Sequence, residues 1–153
     1  VSQYIGVSIK LVTTIMLIFL LVIQFSKLWN SHLRPDPRFP IYHAVGEWLS
    51  LNTPAEATVG TLEVGIIGYY ARRPMVDFSG LIQPAIAVEL GNRGSYAAAA
   101  YWAIAQYHPD YLVLKAGEFP DVEAKYLPGC QRQATFAGET YSFNSDMHIY
   151  ACP

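Results

Sequence analysis

Charge is what this sequence has least of. Lys, Arg, Asp and Glu make up 14% of its 153 residues, against roughly 25% in an average soluble domain. Ten basic and twelve acidic residues leave a net charge of −2. There is no surplus of Lys and Arg to neutralise a nucleic-acid backbone, so nucleic acid is not an expected partner. Cysteine occurs only twice, neither C-x-x-C nor H-E-x-x-H is present, and His32, His43, His108 and His148 are dispersed. This spacing predicts no metal site. Gly65, Gly68 and Gly80 do not form G-x-G-x-x-G, no G-K-[ST] follows a strand, and no G-x-S-x-G elbow occurs. A Rossmann cofactor and a hydrolase triad therefore lack motif support, and no cofactor is implied. The glycines are expected instead at tight helix-to-sheet contacts. A hydrophobic content of 52% excludes disorder.

The apolar surplus lies at the N-terminus. Leu11 to Phe25 reads LVTTIMLIFLLVIQF, preceded by YIGVSI from Tyr4 to Ile9, and Lys10 is the single charge before Ser26. A helix from Tyr4 to Phe25 is roughly 33 Å long, close to the ~30 Å hydrocarbon core of a bilayer. The segment is predicted to span a membrane. Thr13 and Thr14 return their hydroxyls to the helix backbone, Lys10 snorkels, and Tyr4 and Trp29 sit at the interfaces. A signal peptide is disfavoured because FSKLWNSHLRPDP offers no small-x-small cleavage site. A core helix apolar on every face needs a larger protein around it than the remaining residues supply. Lys27, Arg34 and Arg38 follow the span and Lys10 alone precedes it, which by strict count puts the following domain in the cytoplasm. That rule weakens for large domains and where upstream helices set topology. The start at Val1 is expected of a processed product or a piece of something longer.

Three regions follow: 1–29, a transmembrane helix with its flanks; 30–40, a Pro-rich extended linker (NSHLRPDPRFP); and 41–153, an α/β domain. Within the last, a helix is expected from Ile41 to the Asn52-Thr53-Pro54 turn, a strand over Ala57 to Glu63 and a helix over Val64 to Ala71. A strand over Pro74 to Phe78 and a helix over Pro84 to Leu90 come next, then a Gly91 to Gly94 loop and a Ser95-capped helix over Tyr96 to Tyr107. A strand over Asp110 to Lys115, a short helix near Asp121 to Tyr126, and a hairpin of Arg132 to Ala137 with Met147 to Cys152 complete the domain. The alternation predicts a three-layer α/β domain with a mainly parallel sheet and an antiparallel edge.

Ligands of open parallel sheets collect outside the carboxyl ends of the strands. Glu63 and Asp77 end the first two strands, and Arg72 and Arg73 lie on the loop between. Together they are candidates for acid–base work or for holding a sugar or phosphate; the competing role is local, as helix caps and ion pairs. Tyr69, Tyr70, Tyr96, Tyr101 and Trp102 are candidates for a sugar-stacking or lipid-facing surface, or for the core. Cys130 and Cys152 flank the hairpin. They are either two buried thiols or a bridge worth roughly 3 kcal/mol that points to an oxidising compartment.

The string HAVGEWLSLNTPAEATVGTLEVGIIGYYARRPMVDFSGLIQP, followed by HPDYLVL, resembles the C-terminal region of bacterial membrane glycosyltransferases of the GT-C superfamily, of the dolichyl-phosphate-mannose protein mannosyltransferase kind. The similarity runs from about Tyr42 to Leu114 and rests on Asn52 to Pro54, Glu63 to Tyr70, Arg73 and Pro74, and Asp77 to Leu81. It implies a domain outside the cytoplasm, periplasmic or extracellular, and sugar transfer from a polyprenyl-phosphate donor by an acidic residue of an external loop. That loop is not in this sequence, so the chain is not expected to be catalytic by itself. The implied partners are membrane lipid, other membrane helices or subunits, and a polyprenyl-phosphate sugar or glycan. A non-enzymatic single-span accessory subunit is the alternative.

Overall fold

The computed structural model describes residues 2–33 and 36–153, with side chains from 10 to 31 and from 36 onward. Two compact units divide at Asp36 and Pro37.

The first unit is one helix, α1 (Ser2–Leu33). Its stretch Lys10–Ser31 is long and apolar enough to cross a membrane, and its side chains are not buried by the protein. Within it, the Thr14 hydroxyl donates to the Lys10 carbonyl at 2.9 Å, which removes a polar group from an apolar surface. The Tyr4 and His32 side chains lie outside the described ones. The expected extended linker is corrected at both ends. Helix continues through Asn30 to Leu33, because nothing before Pro35 interrupts it and Pro disfavours helix only from the residue preceding it. Helix resumes at Phe39 rather than Ile41, because Pro40 falls in a first turn, where its missing N–H costs nothing.

The second unit runs α2 (Phe39–Asn52), β1 (Val59–Thr61), α3 (Val64–Ala71), β2 (Met75–Asp77), α4 (Pro84–Arg93), α5 (Tyr96–Tyr107), β3 (Tyr111–Lys115), α6 (Pro120–Tyr126), β4 (Gln131–Phe136) and β5 (Met147–Ala151). The five strands form one mixed sheet in the order β2-β1-β3-β5-β4. β2, β1 and β3 are parallel, with Thr61 beside both Asp77 and Val113. β5 runs antiparallel to β3 and to β4. The fold is therefore a mixed α/β domain.

Alternation along β3 divides the core. Leu112 and Leu114 join Val76, Phe78, Ile86, Val122 and the alanines of α5, while Val113 joins Val59, Ile149 and the inward residues of α2 and α3. Two close approaches set the helices. Ala99, Ala100 and Ala103 of α5 are fully buried, small enough to let the helix lie tight. At Gly46 of α2, a Cβ would stand 2.7 Å from the Tyr70 Cβ of α3, so only glycine permits that contact. Gly65, expected at such a contact, instead has open space around it.

Caps explain most element ends. Ser95 Oγ accepts from the Ala98 N–H and opens α5. α4 continues past the expected Leu90 to Arg93, because Arg93 pairs with Glu89 one turn back at 2.7 Å and Gly94 supplies the left-handed cap at φ 65°. β1 is shorter than its apolar run because Thr58 N–H and Oγ turn to the Asp110 carboxylate, at 2.7 and 2.8 Å.

A disulfide joins Cys130 to Cys152, with Cα atoms 4.3 Å apart, and closes the free end of the β4–β5 pair. With its partners 22 positions apart in sequence, it constrains the unfolded chain by roughly 3 kcal/mol. Urea unfolding of the full chain in detergent is expected to show a lower midpoint after reduction; an unchanged midpoint would contradict a stabilising role. A second expectation concerns acid. The Thr58 hydrogen bonds hold the Asp110 carboxyl below the usual carboxylate range. Because the folded value is depressed, that contribution is present above the unfolded pKa of about 3.9 and fades as pH falls through the folded one. Asp110→Asn should flatten the acid limb of the stability profile below about pH 4; superimposable limbs would refute the clamp.

Candidate functional site

The parallel strands place one point of the sheet apart from the rest. From β1 the chain leaves through α3, which packs in the Val113 cluster, to reach β2. From β2 it returns through α4 and α5, which pack in the Leu112 cluster, to reach β3. From β3 it leaves through α6, whose Val122 is also in the Leu112 cluster, so the connections leaving β1 and β3 take opposite faces of the sheet, and open α/β sheets bind ligands outside the carboxyl ends at such a point. Glu63 stands two residues beyond β1, and Lys115 closes β3.

A cleft of about 510 Å³ lies there, lined by Arg38, Tyr42, Glu63, Lys115, Phe143 and Asn144 together with Pro37 and Ser142. Arg38 enters from the start of α2, with its guanidinium 3.7 Å from the Glu63 carboxylate. Lys115 Nζ is 2.9 Å from Glu118 Oε1, and the Lys115 backbone N–H donates to the other oxygen of Glu118. The far wall comes from the β4–β5 connection. A 3-10 turn at Gly138–Tyr141 ends on Ser142 at φ 55°, which delivers Phe143 edge-on to Tyr42 with ring centres 5.7 Å apart.

Tyr42 forms the floor. It is 1% exposed, with its hydroxyl close to the Glu63 carboxylate. Burial, and next the negative charge of Glu63, push its pKa far up, so it stays a neutral hydroxyl. The cleft therefore brings together the Arg38–Glu63 pair, the Lys115 ammonium held from behind by Glu118, an amide, a buried phenol and an aromatic edge. With its charges paired, the mixture of donors, acceptors and ring surface suits a neutral, hydroxyl-rich ligand. No group of three or more His, Cys, Asp or Glu near enough to share a metal occurs among the described residues.

The residues expected to converge do not all do so. Glu63 is in the cleft; Asp77 is not, which corrects the shared crevice drawn from the strand ends. Asp77 is 0% exposed. Its carboxylate accepts from the Ser79 N–H at 2.9 Å, from the Ser79 hydroxyl and from the Ile82 N–H at 2.8 Å, so its charge is consumed in shaping the turn before α4. At Gly80 in that turn, φ is +73° and a Cβ would lie 2.6 Å from the Ala87 nitrogen, which only glycine avoids.

Arg73 is also structural. Its guanidinium donates to the carbonyls of Ser50 and Thr53, both at 2.7 Å, and to Thr53 Oγ1 at 3.0 Å, satisfying the carboxyl end of α2. Arg72, at φ 51°, caps α3. Tyr70 packs T-shaped on His43, 4.1 Å between centres, and meets Tyr69 at 5.0 Å, on the α2–α3 surface rather than in the cleft.

Arg38, Tyr42, Lys115, Phe143 and Asn144 were not among the expected residues. Lys115 carried a usable signal, a charge closing a strand of buried residues, by the same logic that selects Glu63. The others reach the cleft only through the docking of α2 and of the β4–β5 connection, which no local pattern encodes.

No curated protein and no solved structure matches the chain. One family model does, over residues 29–150, which is nearly the whole α/β domain and little of the apolar span. By that match the chain belongs to the family described as a domain of unknown function, DUF8728.

Proposed function

We propose that the chain is a membrane-anchored, extracytoplasmic sugar-binding domain of the kind found at the C-terminal end of polyprenyl-phosphate-sugar-dependent glycosyltransferases, and that it binds without catalysing transfer by itself. The observation that carries this reading is the cleft at the β1–β3 switch point, where Glu63, Arg38 and Lys115 offer balanced polar chemistry over a buried tyrosine. The motif string that resembles the GT-C superfamily supports it, since Glu63 belongs both to that string and to the cleft. The Cys130–Cys152 bridge supports the extracytoplasmic side, because disulfides persist in oxidising compartments. The split of the core between the two sides of β3 supports the three-layer arrangement.

In this reading α1 lies in lipid and meets other membrane helices or subunits, and the cleft receives the sugar of a polyprenyl-phosphate carrier or a glycan. The charged groups of the cleft are engaged in ion pairs, which suits orienting and holding a ligand. A second reading, a non-enzymatic single-span accessory subunit, draws on the uncovered side chains of α1.

Saturation-transfer NMR on the full chain in lipid nanodiscs, with methyl mannoside and a short-chain polyprenyl-phosphate mannose as probes, tests the proposal. Wild type should transfer saturation to the sugar protons. Glu63→Gln should weaken binding about tenfold, equal to about 1.4 kcal/mol, with its melting temperature unchanged. Asp77→Asn should lower the melting temperature and leave binding by the folded fraction intact. Equal transfer in wild type and Glu63→Gln would overturn the assignment of the cleft.

A further inference from the structure

Two adjacent arginines follow α3, and only one of them is spent on the fold. Arg73 donates to the Ser50 and Thr53 carbonyls, both at 2.7 Å, and so ties the last turn of α2 to the chain beyond α3. Arg72 is exposed, and its guanidinium makes no hydrogen bond or ion pair among the described residues. Its backbone stands at φ 51°, a left-handed position that helix ends most often give to glycine. Glycine would cap α3 with less strain, so the cap alone does not call for an arginine.

Beside it opens a cavity of about 240 Å³, lined by Glu47, Ser50, Leu51, Tyr70 and Arg72. A water's share of liquid volume is about 30 Å³, so the space holds roughly eight waters, or one molecule of amino-acid size. Its walls are fixed. Gly46 lets α2 and α3 touch, Arg73 locks the Ser50 turn in place, and the Tyr70 ring is held edge-on to His43.

The lining carries both signs of charge. The Glu47 carboxylate is 3.5 Å from the His43 imidazole, one turn back on α2, and no ion pair joins it to Arg72 among the described residues. Opposite charges thus share one cavity without neutralising each other. A ligand that brings a carboxylate to Arg72 and an ammonium to Glu47 makes two charge-assisted contacts, and the guanidinium fork matches a carboxylate in shape. Leu51, 83% exposed, and the Tyr70 ring supply an apolar wall between them.

We propose that this α2–α3 cavity binds a small zwitterion with an apolar side chain, an α-amino acid in chemical class. It shares no lining residue with the cleft at the β1–β3 switch point, whose charges are paired and suit a neutral ligand.

The full chain in lipid nanodiscs, labelled at Leu methyl groups and Arg Nε, is titrated with L-phenylalanine and followed by NMR. The Leu51 methyl and Arg72 Nε–H signals should shift together and saturate at millimolar ligand. Phenylalanine amide, which lacks the carboxylate, and N-acetylphenylalanine, which lacks the ammonium, should each bind about tenfold more weakly. Arg72→Gly should lose binding by a similar factor while its melting temperature stays level or rises, because glycine relieves the left-handed position. Glu63→Gln, in the other cleft, should bind phenylalanine as wild type does. Equal binding of the three probes, full binding by Arg72→Gly, or no saturable shift would overturn the proposal. A lowered melting temperature in Arg72→Gly would also overturn it, by assigning the side chain to the fold. Shifts at Leu51 and Arg72 with methyl mannoside but not with phenylalanine would replace it with a second sugar site.

Discussion

Parallel pairing of β1 with β2 on one side and β3 on the other sends three strands toward one edge, and the rest of the molecule is arranged around that direction. The pairings are short, with β1 contributing only Val59, Gly60 and Thr61. They hold because each strand end is fixed by side chains. At the amino edge the Thr58–Asp110 hydrogen bonds clamp β1 to β3, and Arg73 secures α2 just before β2 begins. At the carboxyl edge Glu63, Asp77 and Lys115 emerge side by side from three consecutive strands. One is spent on a turn, and two are left lining a cleft.

The same direction explains why two carboxylates that look alike in sequence have different roles. Asp77 is surrounded by N–H donors of its own turn, and a buried carboxylate with its lone pairs occupied is a structural element. Glu63 faces Arg38 across 3.7 Å on a partly open surface, with the Tyr42 hydroxyl close by. The Glu63 carboxylate is open to a ligand hydroxyl in the cleft, whereas that of Asp77 is fully buried.

Local pattern carried much of the fold. Val64 to Ala71 forms a helix with the expected bounds, and Ser95 caps α5 as its side-chain chemistry dictates. Errors fell at ends decided by competition between local and neighbouring groups. α4 outran Leu90 because an i,i+4 ion pair and a left-handed glycine favoured one more turn, and β1 lost residues to the Asp110 clamp. The cleft was only partly legible. Glu63 and Lys115 follow from strand direction alone, whereas Phe143 depends on the β4–β5 connection and Arg38 and Tyr42 on α2 seating against α3 through Gly46. That packing decision is spread over two helices and leaves no periodic trace. The tyrosine pair went to a helix surface for the same reason.

The scarcity of charge now has a spatial meaning. The uncharged stretch belongs to the helix that is long and apolar enough to cross a membrane, while the domain places its few charges where they cap, clamp or line a cleft. The central claim is that the carboxyl edge of the parallel strands carries a ligand-binding cleft. It is tested most directly by backbone amide chemical shifts along β3 as methyl mannoside is titrated into the full chain in nanodiscs. Perturbations are expected to grow from Tyr111 to Lys115. A flat profile, or one growing toward Tyr111, would contradict the account.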